Sequence, residues 1–508
     1  MKIILLIFSL SLFNVTIAQN IPVRDSLKVV DSSSKITNTG NLGKHDNTTI
    51  RNTTIHDSSI DDRPHNKYGD LLNDDPAYNK KYPVWIPATR VILANGFVWS
   101  VDRFILKADF SHIGPSTWKE NLRAGWDWDN DHFGTNFVAH PYSGNTYFNI
   151  ARSNGYTFWQ SFPFAIEGSL MWEYFGENTH PSKNDLINTS ISGMFLGEVL
   201  YRISSNILDD RARGANRVGR ELLAGIVDPA RAFNRLTQGK MFRVTSKEVY
   251  QKEPLNITIS SGIHRINDNN KFGTGPVNYT INLQLDYGDP FEIRRRKPFD
   301  VFRLRTESSF GTYRKILGSV TGYGLLFGKN VINHGVLVGG FQYFDYWNNK
   351  IFELGSIGLG VGLISKIPLQ KKSELYSSLH FAAVPLAANN TSFGPDTSLF
   401  RDYNFGGGME AKIEETLNLK FASIGFSGYY YWLQNYENLK GRSSIGIIKP
   451  RVILNLSKTI SFGIEHQVYF VNRYLNDNPI PSLHLTRTEQ KLFLQVFLED
   501  SRRKGRYH

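Results

Sequence analysis

Between Val277 and Tyr287 the chain alternates without a break. Val277, Tyr279, Ile281, Leu283, Leu285 and Tyr287 are apolar or aromatic, and Asn278, Thr280, Asn282, Gln284 and Asp286 are polar. A helix would smear both classes around its axis, whereas a strand sends alternate side chains to opposite faces. Residues 277–287 therefore read as a strand with one apolar and one wet face. The same period returns from Tyr403 to Ile413, with Asn404, Gly406, Gly408, Glu410 and Lys412 on the polar side. Near the end, Leu492, Leu494, Val496 and Leu498 alternate with Lys491, Gln495 and Glu499, although Phe493 and Phe497 interrupt the polar face. Such runs between 255 and 499 number about twelve, each of roughly ten residues, the length a tilted strand needs to cross a bilayer.

Two architectures give this pattern. A soluble sandwich hides its apolar face against a second sheet, and a transmembrane barrel turns it to lipid. Charges in mid-strand, such as Arg303, Arg305 and Glu307, favour the barrel, because a dry sandwich core does not accept them unpaired. Aromatics near strand ends (Tyr279, Tyr287, Tyr343, Tyr346-Trp347, Tyr429 to Trp432) suit an interfacial girdle. Gly358, Gly360 and Gly362 share one face; they read as curvature of the wall, or as room left for something in the lumen.

Upstream, Met1-Lys2, the apolar stretch Ile3 to Phe13 and the small residues Thr16-Ile17-Ala18 form the three-part pattern of a secretory signal peptide over 1–18. Residues 19–81 are rich in Asp, Ser, Thr and Asn and read as a disordered polar tether. An exported chain of net charge +12 meets envelope phosphates rather than nucleic acid. The absence of cysteine excludes disulfide scaffolds, thiol nucleophiles and Cys-ligated metals.

From 82 to 243 the period is helical, with segments at Val91 to Lys107, Asp131 to Ser153, Thr157 to Phe175, Lys183 to Leu208 and Val218 to Leu236. Pro141, Pro163, Pro181 and Pro229 fall near helix starts, and Ser182 reads as an N-cap with Asp185 in the first turn. The predicted fold is α+β: a helical domain over 82–243, an antiparallel transmembrane β-barrel of about 12 strands over 250–500, and a basic tail over 501–508. The location implied is the cell outer membrane, with the helices at the barrel mouth or partly in the lumen, where they would plug, gate or recruit. A soluble periplasmic binding protein is the alternative without a membrane.

The helical region carries more charge than folding needs. His140, Glu173 and Glu177 are candidate catalytic residues, since Glu173 and Glu177 share a helical face and imidazole with carboxylates suits acid–base work or a divalent metal. Arg152, Asp185, Glu198 and Arg202 are candidate binding residues. Gly193 and Gly197, four apart, permit close helix contact.

His140-Pro141 to Gly144, Tyr147, Ala151-Arg152, Trp172, Glu173, Glu177, Asn184-Asp185 and Gly193 to Glu198 together resemble an uncharacterised bacterial envelope family, a domain of unknown function. The resemblance spans roughly 90 to 240 and implies an envelope protein with a barrel-like C-terminal half; it brings no activity and no cofactor. Three readings of the polar cluster stay open. Acids and arginines pair inside a bundle; His140 with Glu173 and Glu177 forms an acid–base or divalent-metal site; or arginines hold lipopolysaccharide phosphates or cell-wall fragments. The second and third would make the chain an envelope hydrolase or binder working beside outer-membrane lipid. A serine hydrolase has weaker support, for no Gly-x-Ser-x-Gly elbow occurs, leaving His380 or His466 on a strand.

Overall fold

The computed structural model describes residues 80–500 apart from 247, 269–270, 313–314, 333–334, 370–372, 391–402, 437–439 and 477–481. The signal segment, nearly all of the tether and the basic tail lie outside these residues. Twelve strands close into one antiparallel barrel in which each pairs with its chain neighbours and the first pairs with the last. They are β1 Leu255–Ile266, β2 Val277–Tyr287, β3 Phe302–Phe310, β4 Lys315–Val331, β5 Val336–Asn348, β6 Glu353–Pro368, β7 Glu374–Asn390, β8 Asn404–Asn418, β9 Ala422–Asn435, β10 Gly441–Asn455, β11 Ile460–Leu475 and β12 Leu483–Leu498. The ladder of Ile263 on Leu492 seals the ring. No second sheet faces the apolar side among the described residues, which overturns the soluble-sandwich alternative.

Ion pairs that span several strands identify the lumen face. Arg303 and Arg305 on β3 meet Glu414 on β8, Lys412 on β8 meets Asp345 on β5 at 2.5 Å, and Lys491 on β12 meets Glu307 on β3 at 2.5 Å. Such contacts are possible only through the interior, so the polar sides of the alternating runs point inward. Outward sit residues such as Ile281, Val361, Phe381, Ile464 and Leu494, each about half exposed. A closed wall, charged within and apolar without, is a membrane-spanning β-barrel, the form carried by a bacterial outer membrane.

The aromatics divide differently from a simple girdle. Tyr279 and Tyr430 do face outward, whereas Tyr343, Trp347, Tyr429 and Tyr431 point into the lumen: Tyr429 and Tyr431 donate to Glu414 and Asp345, Trp347 donates to the Tyr431 hydroxyl, and Tyr343 meets His380. Gly358 and Gly362 also face the lumen, where added side chains would strike Glu410 and His380. The room they leave is taken by the wall's own side chains. Phe493 breaks the polar face of β12 because it lies over Gly463.

Among the described residues eight α-helices precede the barrel: α1 Trp85–Ser100, α2 Pro115–Asn121, α3 His140–Ser153, α4 Phe158–Phe175, α5 Lys183–Ile187, α6 Gly193–Ile207, α7 Gly214–Val227 and α8 Pro229–Thr237. Thr157 caps α4 in a reciprocal box with Gln160. Pro141 and Pro229 stand in the first turns of α3 and α8, but Pro163 lies inside α4. Asp228 and Pro229 split the expected 218–236 helix, since Asp228 accepts the amide of Arg231 and starts a new one. The α3–α6 crossing is backbone-close: side chains on Gly144 or Gly193 would overlap Thr189 or Gly144, as the spacing of the glycines implied.

The helices do not plug the lumen. Their apolar residues lie on the outward face of β2–β8: Phe195 stacks on Phe344 at 6.0 Å, Phe133 on Tyr346 at 5.3 Å and Trp128 on Phe405 at 5.0 Å. Phe137 occupies the space above Gly355, and the Gln342 amide donates to the Ile191 carbonyl at 2.8 Å. A lumen already crossed by ion pairs has no room for a helix ~10–12 Å wide. Its cavities among the described residues include two of about 40 and 20 Å³, room for a water or two.

Candidate functional site

Helix α3 begins at His140, reached from a turn of π-helix at Thr135–Ala139, and Glu173 lies in the last turn of α4. A parallel bridge between Asp127 and Ser182 draws the acidic run 127–131 alongside the start of α5. These elements bring together five carboxylates (Asp129, Asp131, Glu173, Glu177 and Asp185) and one imidazole.

His140 Nε2 lies 3.2 Å from Asp185 Oδ1 and 3.9 Å from Asp131 Oδ2, and Nδ1 lies 3.2 Å from the Thr189 hydroxyl. Asn184 donates to Asp129 at 2.9 Å and to Asp185 at 2.8 Å, and Asn136 donates to Asp129 at 3.0 Å. The Ser182 amide donates to Glu173 at 2.6 Å, so this N-cap position holds a carboxylate through its backbone and makes no side-chain cap. Asp185 and Glu173 are buried while Asp131 is half exposed, which opens the cluster on one side. One ligand atom each from Asp129, His140 and Asp185 lies within 4.8 Å of the others, a spacing fit for one metal ion.

The electrostatics follow from burial and crowding. Burial alone would lower the pKa of His140, but Asp185, Asp131, Asp129 and Glu173 override it and raise it to about 10. Burial raises Glu173, with Glu177 and Asp185 adding to it, and raises Asp185 against the pull of His140. Burial lifts Glu177 to about 7, opposed by His140 and assisted by Asp131 and Asp129. Carboxylates held together in this way take up protons or a cation.

The remaining predicted residues form a separate cluster. Arg152 grips Glu198 with two bonds of 2.7 and 2.9 Å, and Arg202 donates to Glu198 at 2.8 Å, to Asp300 at 3.2 Å and to the Pro298 carbonyl at 2.7 Å. All three side chains are sealed from solvent. Pairing of acids with arginines thus describes Glu198, and not the His140 cluster. Arg152 and Arg202 are consumed in bolting α3 to α6 and α6 to the segment before β3. Of the predicted residues, His140, Glu173, Glu177 and Asp185 converge; Arg152, Glu198 and Arg202 do not join them.

Asp129 and Asp131 were missed by sequence reasoning. Their signal was the acidic and aromatic run Trp126-Asp127-Trp128-Asp129-Asn130-Asp131, which lies between helices and has no period. Tyr403, just before β8, accepts from Asn136 at 2.7 Å and donates to the Asp131 carbonyl at 2.6 Å, tying the site to the wall.

No curated protein matches the chain. Among solved structures, the NanC porin aligns at 10% identity over 48% of this chain and 98% of its own, with a TM-score of 0.27. The outer-membrane protein OmpT of Vibrio cholerae aligns at 6% over 48% and 96%, TM-score 0.19. An anion-selective porin from Comamonas acidovorans aligns at 11% over 49% and 99%, TM-score 0.19. At such scores nothing about solute or pore transfers from them. Residues 125–230 match the family model of a domain of unknown function, DUF3943, and this stretch holds both the His140 cluster and the Arg152–Glu198–Arg202 lock.

Proposed function

We propose that the helical domain is an envelope hydrolase module that the barrel holds against the outer membrane. Asp129, His140 and Asp185 hold a divalent cation of the zinc or manganese kind, and Glu177 serves as acid–base on lipid or cell-wall material. The observation that carries this reading is the convergence of five carboxylates on one imidazole, with hydrogen bonds from asparagines, Thr189 and a backbone amide, while the nearby arginines are committed to Glu198. A group whose pKa is about 7 is matched to proton transfer at neutral pH. Imidazole plus carboxylates is a donor set for zinc or manganese.

Mn²⁺ titration of the full chain in detergent, followed by electron paramagnetic resonance, tests the cation site. One bound ion is expected, lost in His140→Ala and Asp185→Asn. Glu177→Gln should keep the ion while losing turnover of outer-membrane lipid or cell-wall fragments followed by mass spectrometry. Equal Mn²⁺ binding in the wild type and His140→Ala would refute the site.

A further inference from the structure

We infer that the barrel carries a second, serine-based hydrolytic site, built by Ser309, His264 and Glu489 at one end of the lumen. His264 Nε2 lies 2.7 Å from Ser309 Oγ, and His264 Nδ1 lies 2.7 Å from Glu489 Oε1. A serine on one ring nitrogen and a carboxylate on the other is the arrangement that lets imidazole take a proton from a hydroxyl while the acid fixes its tautomer. The three come from β3, β1 and β12, so closure of the barrel assembles them, and no local sequence motif announces them. Glu489 is held in turn by Tyr469 at 2.7 Å and has Lys491 at 3.5 Å.

Two further observations point to a ligand. A cavity of about 40 Å³ is lined by Ser309, His264 and Glu489 together with Lys315, Asn348 and Lys350. Its two lysines are half exposed, so the rim meets solvent. The ladder beside the serine is also irregular: Glu307 pairs with Ser319 but Ser309 pairs with Lys315, so β4 carries extra residues there, as walls often do next to reactive groups. Ser378 and His380 make a comparison within the same lumen. Ser378 Oγ lies 2.7 Å from His380 Nε2, but Nδ1 meets the Tyr343 hydroxyl, which supplies no anion to orient and charge-balance the ring.

The cavity is small, so only a short acyl group could reach Ser309 Oγ from its mouth. The substrate class is therefore a short acyl ester. Ser309 Oγ bonds to the acyl carbon as its proton passes to His264 Nε2. The bond from acyl carbon to alcohol oxygen then breaks, and that oxygen takes the proton. Water next adds its hydroxyl to the acyl carbon as its proton passes to His264 Nε2; the bond from acyl carbon to Ser309 Oγ breaks and Oγ takes that proton, so ester and water give acid and alcohol. The site uses no metal and does not depend on the His140 cluster.

The test is labelling of the full chain in detergent with a small fluorophosphonate, then peptide mapping, alongside hydrolysis of p-nitrophenyl acetate, butyrate and palmitate. Label on Ser309 is expected, with acetate preferred over palmitate. Ser309→Ala should abolish labelling and lower turnover by about 10³-fold, His264→Asn should act alike, and Ser378→Ala should leave both unchanged. His140→Ala should also leave labelling intact, which separates this site from the cation site. Because the mapped residue is read on the wild type, the result stands even if a variant fails to fold. No label on folded wild type, or label on another serine, overturns the inference.

Discussion

At the residue scale the decisive contrast is between charges that are paired and charges that are crowded. Glu198 sits sealed between two guanidinium groups, so Glu198→Ala leaves two buried cations. A loss of about 3–5 kcal/mol from the helical domain is expected, seen as early proteolysis between α3 and α6 while the barrel keeps its heat-dependent shift on gels. The crowded cluster gives the opposite kind of signature. Glu177, raised to about 7, and the likewise raised Glu173 and Asp185 bind more protons folded than unfolded, so stability falls as pH rises from about 4.5 toward 7. His140, raised from 6.5 to about 10, adds stability that is complete below 6.5 and disappears as pH rises to about 10. Both act in one direction: the helical melting temperature should drop steadily from pH 5 to pH 9, and Mn²⁺ should flatten the slope. A profile that rises with pH contradicts the proposed crowding. The i,i+4 spacing of Glu198 and Arg202 was visible in the sequence. The arrival of Asp129 and Asp131 beside His140 and Asp185 was not, because a bridge between Asp127 and Ser182 brings them there, and the run that carries them has no period to read.

At the element scale, strands were the more legible half. Their alternation is enforced by a wall with two solvents, so β2 appears with the bounds its pattern gave, Val277–Tyr287. Helix ends were less so, because an N-cap such as Asp228 interrupts a run whose apolar period continues through it. Helix contact was legible where glycine demanded it. Gly193→Leu should force α3 and α6 apart, lowering the helical melting temperature by several degrees, since a kcal/mol corresponds to ~2–4 °C in a domain of this size. An unchanged melt would mean the crossing is not backbone-close.

At the scale of the molecule, ion pairs cross the lumen and the helices lean on the outside among the described residues. Planar-bilayer recordings should therefore show conductance near the baseline at neutral pH. Glu414→Ala, which unlatches Arg303 and Arg305, should introduce discrete openings; a wild type conducting like a wide pore would show that the cross-lumen bridges do not hold. That the chain would close was legible from twelve alternating runs. Where the helices would rest was not, because an apolar residue on an outer wall reads the same beneath lipid as beneath a helix.

That resting place gives the particle a front and a back. Acyl chains can wet only the uncovered arc of the ring, so any neighbour diffusing in the plane of the leaflet meets either bare wall or helical flank. Crowded arrays of such molecules would be oriented, each copy choosing its neighbours by the side it turns to them.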